Sequence, residues 1–148
     1  MEIRIENFPK KVRLTPKRLI NIVELVLKQE KIKEGELSFV FVNARKMRSL
    51  NKRYKGKDHV TDVLAFDQTP LAAKCSSNSL HGDIIICPGA AKKNARLFET
   101  SLEYELVLYV IHGILHLLGY DDHTARDVNR MRKKEKELIK MITQIKKR

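Results

Sequence analysis

Two histidines within an otherwise apolar helix constrain this chain more than any other feature of its sequence. In Leu106–Leu118 nearly every side chain is apolar, and the exceptions are Tyr109, His112 and His116. A helix that is apolar all round is predicted to be surrounded by protein. Gly119 follows and is expected to end it, as glycine commonly does at a helix C-terminus. The fold is therefore predicted to be built around one buried helix.

The spacing of the two histidines favours a metal site. His112 and His116 are four residues apart, so their Cβ atoms lie about 5–6 Å apart on one helix face. A third imidazole, His123, follows the turn at Gly119. Three neutral imidazoles leave the fourth position of a tetrahedral zinc ion open, which is typical of a catalytic site. The alternative is a pair of satisfied or surface histidines, but two unpartnered imidazoles inside an apolar helix would cost roughly several kcal/mol of desolvation.

The residue after the first histidine argues against peptide hydrolysis. Zinc proteases with histidines at this spacing carry a glutamate there, which acts as the general base. Gly113 occupies the position here and has no side chain. The predicted metal site is therefore expected to serve another reaction.

The rest of the chain predicts a small mixed β-sheet layered with about five helices, an α+β fold in a single domain spanning residues 1–148. Strands are predicted at Glu2–Glu6, Leu37–Val42, Val63–Phe66 and Ile84–Ile86. A first helix is predicted to begin at Pro16, with Thr15 as its N-cap. Further helices are predicted within Asn43–Lys57, Ala90–Phe98, Ser101–Leu118 and Ala125–Ile145. Gly35 is assigned to the connection before the second strand, and Thr69–Ser79 is the most loop-like segment.

The last helix has apolar residues at three- and four-residue steps, but Glu135 breaks the seam. We expect this helix to pack on its own domain rather than to form a coiled-coil dimer. The chain is accordingly predicted to be a monomer.

The charge balance points to a polyanionic partner. The formal net charge is +12, which concentrates polyanions around the molecule; nucleic acid is the first expectation and an anionic membrane surface is the competitor. No segment approaches the roughly 18 apolar residues of a membrane span, and the N-terminus does not resemble a signal peptide. Cys75 and Cys87 are too few for a disulfide framework. A cytoplasmic protein is predicted.

The segment Asn43–Lys57 concentrates the positive charge and contains no acid. Within it Lys52, Arg53 and Lys57 are predicted to follow a nucleic-acid backbone. The alternative for each of them is a solvated basic helix face.

Three motifs together resemble one known family. The run His112-Gly-Ile-Leu-His116-Leu-Leu-Gly-Tyr-Asp-Asp-His123 resembles the signature of the YbeY family, which are metal-dependent endoribonucleases of ribosomal RNA maturation. Asn51–Phe66 is similar to the family's NxxYRxKDxPTDVLSF segment, with Val60 and Ala65 in place of Pro and Ser. His81–Ile84 is similar to its LGDI segment. The resemblance covers essentially the whole chain.

The resemblance implies a fold, a metal and a substrate. It implies a zincin-like fold, one zinc ion held by His112, His116 and His123, and cleavage of single-stranded RNA. It also implies a role in 16S rRNA 3′-end maturation and in late small-subunit and 70S ribosome quality control. The small ribosomal subunit would then be a partner.

Two departures from the family pattern affect the site. The family usually has one residue fewer between the second and third histidines, so either the pair Asp121-Asp122 is a one-residue expansion or Asp122 occupies the ligand position. His123 is retained as the predicted ligand because histidine suits such a site better. Lys55 replaces the arginine after the tyrosine, and it keeps the charge without the bidentate fork.

These residues suggest a mechanism and one alternative of another class. We hypothesise that the metal polarises a phosphoryl oxygen or supplies hydroxide, while Lys55 offsets the charge developing on phosphorus. The general base is unassigned, since Asp121 and Asp122 could act as base, orient a ligand or only form the turn. His59 and His81 are predicted to take no part. The alternative is a basic RNA- or ribosome-binding assembly factor with a structural or weakly catalytic metal.

Overall fold

A computed structural model describes residues 1–73 and 78–146, and four strands and five helices lie in that part of the chain. The strands are β1 (Glu2–Glu6), β2 (Glu34–Phe41), β3 (Val63–Asp67) and β4 (Ser79–Ile86). The helices are α1 (Pro16–Gln29), α2 (Ala44–Lys55), α3 (Pro88–Leu97), α4 (Leu102–Leu117) and α5 (Ala125–Lys146). The predicted mixture of one small sheet with five helices is confirmed, and Cys75 lies outside the described residues.

The strands form one mixed sheet in the order β1-β2-β4-β3. β1 and β4 both run parallel to β2, and β3 pairs antiparallel with β4. The two central strands are those whose sequences are apolar on both faces, as expected for strands covered on both sides. The prediction of interior strands at these two places is confirmed.

The two faces of the sheet are covered by different helices. Side chains of α1, α4 and α5 form the larger core together with Leu37, Phe39 and Ile84 of the sheet. On the opposite face Met47 of α2 packs with Ile85 in a smaller cluster. Helix α4 is therefore enclosed between the sheet and other helices, as its apolar sequence predicts.

Gly113 has a packing role that its sequence context does not reveal. A Cβ atom built on Gly113 would lie 2.6 Å from Ile84 Cγ2, closer than side-chain carbons approach one another. The missing side chain thus lets α4 lie directly against β4. The same residue that argues against a protease base sets the distance between the helix and the sheet.

Two strands begin earlier than the sequence predicts. β2 begins at Glu34, so Gly35 lies inside the strand rather than in the connection before it. Its φ of +133° suits glycine, and a Cβ atom there would overlap the carbonyl group of Leu80 in β4. β4 begins at Ser79, inside the segment predicted as loop. Both errors arise because cross-strand backbone contacts extend the pairing beyond the apolar residues.

The last helix packs on its own domain, as predicted. Its N-cap is Thr124, whose hydroxyl accepts from the backbone N–H of Asp127 at 3.1 Å. Met131 and Leu138 are buried in the main core. Lys134 also forms a 2.7 Å ion pair with Glu30 beyond the end of α1. Among the described residues no helix is both long and apolar enough to cross a bilayer.

Candidate metal centre

The C-terminal half of α4 brings two imidazole rings together. The Nε2 atoms of His112 and His116 are 2.9 Å apart, with the rings nearly perpendicular. Two nitrogen ligands of a tetrahedral zinc ion lie about 3.3–3.4 Å apart when each bond is about 2.0–2.1 Å. A small rotation of either ring is therefore enough for both nitrogens to bind one ion.

His112 is oriented by a carboxylate from another helix. Its Nδ1 lies 2.5 Å from Oε1 of Glu135 in α5, and this glutamate side chain is only 13% exposed. When Nδ1–H donates to the carboxylate, the lone pair of Nε2 is free for a metal, an arrangement common in metal sites. The sequence indicated Glu135 only as a break in the apolar seam of α5. An acidic residue at a position that faces the core was the signal that it has a buried partner.

The two imidazoles differ in proton affinity. Burial lowers the pKa of His112, but the hydrogen bond and negative charge of Glu135 outweigh it, so the net shift is upward. Burial and the neighbouring His112 lower the pKa of His116. His116 is therefore the more readily available neutral donor of the pair, whereas His112 is held by its partner on α5.

The turn after α4 supplies further donor atoms. Within the described residues, ring nitrogens of His112 and His116 and a carboxylate oxygen of Asp122 all lie within 4.8 Å of one another. His123 does not belong to this group; its side chain is 81% exposed and its Nε2 lies 3.1 Å from Asp121 Oδ1. The structure thus brings together two of the three predicted histidines, and it places Asp122 beside them.

A groove of about 490 Å³ reaches His116 of the histidine pair. It is lined by the end of α2 and the loop after it, by part of β3 and by the turn after α4; the polar lining residues are Asn51, Lys55, Lys57, His59, Thr61, Asp67, His116, Asp121, Asp122 and His123. Lys55 and Lys57 put positive charge on the wall formed by the end of α2 and the loop after it. Of the residues predicted to bind RNA, Lys52 and Arg53 do not line the groove, and Arg53 lies against the ring of Tyr54 instead.

Asn51 fixes the loop that forms one wall of the groove. This side chain is only 2% exposed, and its Nδ2 donates to the carbonyl of His59 at 3.0 Å. The backbone carbonyl of Asn51 accepts from the backbone N–H of Lys57. Lys57 follows Gly56, which has a φ of +70° at the end of α2. No role was predicted for Asn51. The signal was its position four residues after the buried Met47, which puts a polar side chain on the buried face of α2.

A second cavity lies on the other side of the pair. Its lining includes His112, Asp62, Tyr109, Arg132 and Glu135, and it shares Asp122 with the groove. Tyr109 is not free for chemistry, because its hydroxyl accepts from Asn94 Nδ2 at 2.6 Å and burial raises its pKa to about 12. Asp122 therefore lines both cavities and lies beside both histidines.

Comparison with known proteins identifies the family. The family profile described as Endoribonuclease YbeY matches residues 4–143, nearly the whole chain. The chain belongs to the YbeY family. The resemblance drawn from the three sequence motifs is confirmed, and with it membership in a family of hydrolases that act on RNA.

Several relatives named Endoribonuclease YbeY align over most of the chain. The protein of Staphylococcus carnosus is 37% identical over 123 residues, 80% of either chain. That of Halalkalibacterium halodurans is 32% identical and the alignment covers 94% of this chain and 95% of the relative. That of Anaeromyxobacter sp. strain Fw109-5 is 41% identical, but this chain spans only 54% of its length. A solution structure from Thermotoga maritima is 31% identical, with a TM-score of 0.66 over 95% of this chain and 88% of that one.

Proposed function

We propose that this YbeY-family chain is a zinc-dependent endoribonuclease that cleaves single-stranded RNA. The observation that carries the proposal is the pair of imidazole nitrogens, 2.9 Å apart, beside a groove lined by lysines. The two nitrogens lie at hydrogen-bond distance from each other, and a divalent cation is the shared partner that suits two neutral imidazoles placed this close together. The proposal includes a zincin-like fold and a single domain over residues 1–148.

The ligands proposed for the ion are His112, His116 and a donor from the turn Asp121–His123, for which the family resemblance implies His123. When bound, zinc supplies a Lewis acid beside the phosphodiester. Glu135 holds the ring of His112 in the orientation that this ligation needs. The choice of zinc is supported by the imidazole donors, although such donors also accept other transition metals.

Lys55 is proposed to offset charge that develops at phosphorus, and Lys57 to bind the RNA backbone in the groove. Both line the same wall as His59, and the Nζ atom of Lys55 lies 5.6 Å from the ring centroid of Phe66. Lys52 and Arg53 lie outside the groove and are proposed to bind RNA only where a longer strand leaves it. A groove of about 490 Å³ is the size of a small-ligand pocket. It suits one or two nucleotides of a single strand.

The proposed cellular role is 16S rRNA 3′-end maturation together with late small-subunit and 70S quality control. The net charge of +12 favours association with ribosomal RNA. The small ribosomal subunit is the proposed partner, and the protein is proposed to act as a monomer. A cytoplasmic location is proposed because the proposed substrates are ribosomal RNAs.

The test compares metal content and RNA cleavage in the wild type and in His116→Ala. Both are assayed with and without a chelator after circular dichroism has shown that the variant is folded. We expect His116→Ala to lose bound zinc and to cleave single-stranded RNA at least about 100-fold more slowly. The matched control is His81→Ala, which removes an imidazole that contacts Ser79 and does not line the groove.

Two results would contradict the proposal. Cleavage that survives in folded, metal-free His116→Ala would mean that the metal does not serve the reaction. A wild type that binds RNA without cleaving it, and still binds it after metal removal, would favour the basic assembly factor instead.

A further inference from the structure

We infer that Asp122, rather than His123, supplies the third protein ligand of the metal in this chain. The centre would then consist of two histidines and one aspartate. The inference deepens the proposed function and rests on the metal site named there. It concerns the one place where this sequence departs from its family in the spacing of donor residues.

The first support is the position of the carboxylate. Asp122 Oδ2 lies 3.8 Å from Nε2 of His116, close to the distance of about 3.3–3.4 Å between two ligands of a tetrahedral ion. Its carboxylate belongs to the same 4.8 Å group as the nitrogens of both histidines. Only a small movement of this side chain is needed for it to reach an ion between them.

The second support is the position of His123. Its ring is 81% exposed at the edge of the groove, and its Nε2 lies 3.1 Å from Asp121 Oδ1. Asp121 and His123 form a separate group of donors that reaches the histidine pair only through Asp122, the member common to both groups. An exposed imidazole with another partner is poorly placed to complete the site.

The third support is that the turn is fixed at both ends. At its start, the backbone N–H of Tyr120 donates to the carbonyl of Leu115 at 3.0 Å, after Gly119 with φ +100°. At its end, Thr124 caps α5 through its hydroxyl and its carbonyl. Moving the chain by one residue to bring His123 inward would break one of these attachments. The extra residue is therefore accommodated by a change of ligand and not by a bulge.

An aspartate ligand changes the chemistry of the ion. It brings one negative charge, so the centre would carry a net charge of +1 with zinc where three neutral imidazoles would leave +2. Two histidines and a carboxylate hold zinc in known hydrolases. They also form the facial triad that binds iron(II), and oxygen ligands favour harder ions such as manganese. We therefore expect the ratio of Mn²⁺ to Zn²⁺ affinity to be higher in the wild type than in Asp122→His.

The experiment measures Zn²⁺ affinity of the full chain by competition with a chromophoric chelator. The variants are Asp122→Asn, which keeps the size of the side chain, Asp122→Ala, Asp122→His and His123→Ala. The matched control is Asp58→Ala, because Asp58 pairs with Arg48 and does not line the groove. We expect Asp122→Asn and Asp122→Ala to lower the affinity at least about 100-fold, because even outer contacts of metal ligands are worth 10–100-fold. His123→Ala and Asp58→Ala should change it less than about 3-fold, and Asp122→His should retain binding. Circular dichroism of each metal-free protein shows that it is folded.

Three outcomes would overturn the inference. The first is that His123→Ala loses Zn²⁺ affinity while Asp122→Asn keeps it. The second is that both substitutions leave Zn²⁺ affinity unchanged. The third is that the folded wild type binds neither Zn²⁺ nor Mn²⁺. RNA cleavage is measured separately on the same proteins. If Asp122→Asn loses zinc but the zinc-loaded wild type cleaves no RNA, the ligand assignment stands and the proposed function fails.

Discussion

Glu135 Oε1 lies 2.5 Å from Nδ1 of His112, and this contact joins the middle of α5 to the buried helix that carries the histidine pair. The two residues are 23 positions apart in sequence. Their contact fixes the ring plane of His112 and the nitrogen that carries its proton. The geometry of the proposed metal centre therefore depends on how α5 packs against α4.

We expect Glu135→Ala to lower Zn²⁺ affinity about 10–100-fold without removing any ligand, because the imidazole loses its orienting partner. Glu135→Gln should fall between Glu135→Ala and the wild type, since its amide oxygen can still accept from Nδ1–H but carries no charge. Chelator competition measures both. Glu137→Gln is the matched control, because Glu137 lies two residues away on the exposed side of α5. If folded Glu135→Ala binds Zn²⁺ as tightly as the wild type, Glu135 does not orient His112 for metal binding.

The position of the basic residues predicts a dependence on RNA length. Lys55→Ala and Lys57→Ala should slow cleavage of RNAs of every length, because both side chains line the groove. Each should also reduce the slope of log affinity against log salt by about 1. Lys52→Ala should affect only RNAs long enough to extend beyond the groove. Equal effects of all three substitutions on a short RNA would contradict this arrangement.

Gly113→Ala should destabilise the fold by about 1–3 kcal/mol, because the new methyl group would meet Ile84 at 2.6 Å. Urea unfolding measures the loss. In an Ile84→Ala background the same change should cost less, which a double-mutant cycle would detect as a coupling energy. Gly89→Ala is the control, since its Cβ would be 3.8 Å from the nearest atom. If the cost of Gly113→Ala is the same with Ile84 and with Ala at position 84, helix α4 moves away from the sheet without resistance and the contact does not set their distance.

Asn51→Asp should lower both stability and cleavage. It removes the Nδ2 donor to the carbonyl of His59 and sets a carboxylate oxygen against that carbonyl at a side chain that is only 2% exposed, which costs about 1–3 kcal/mol. The loop then loses its side-chain attachment to α2 at His59, and only the backbone bond from Lys57 N–H to the Asn51 carbonyl remains. Thermal unfolding and single-stranded RNA cleavage are the readouts. Full cleavage by a destabilised but folded variant would show that the loop position does not matter to catalysis.

Local sequence patterns were sufficient for most elements of the fold and for the histidine pair. The apolar run around His112 and His116 predicts a buried helix directly, because both the burial and the spacing lie within one segment. The beginnings of β2 and β4 were missed because they depend on pairing between Gly35 and Leu80, which are far apart in sequence.

The parts of the site that were missed depend on tertiary contacts. Glu135 faces His112 only because α5 folds back over α4, and no local pattern encodes that approach. Which residue of Asp121–His123 faces the histidines depends on how the turn is fixed at Tyr120 and Thr124. The sequence raised both possibilities for the ligand, and we infer Asp122 from the three-dimensional course of the turn.

The attachment of Glu135 to His112 also bears on how the protein melts. An ion bound by α4 and by the turn leading into α5 would cross-link two helices of one core, and it would bind the native state in preference to the unfolded chain. Mass action then raises the unfolding free energy by about 2.7 kcal/mol at a free metal concentration 100 times the dissociation constant. The melting temperature of this chain should therefore rise with metal concentration, so that a thermal scan can rank metals before any RNA is added.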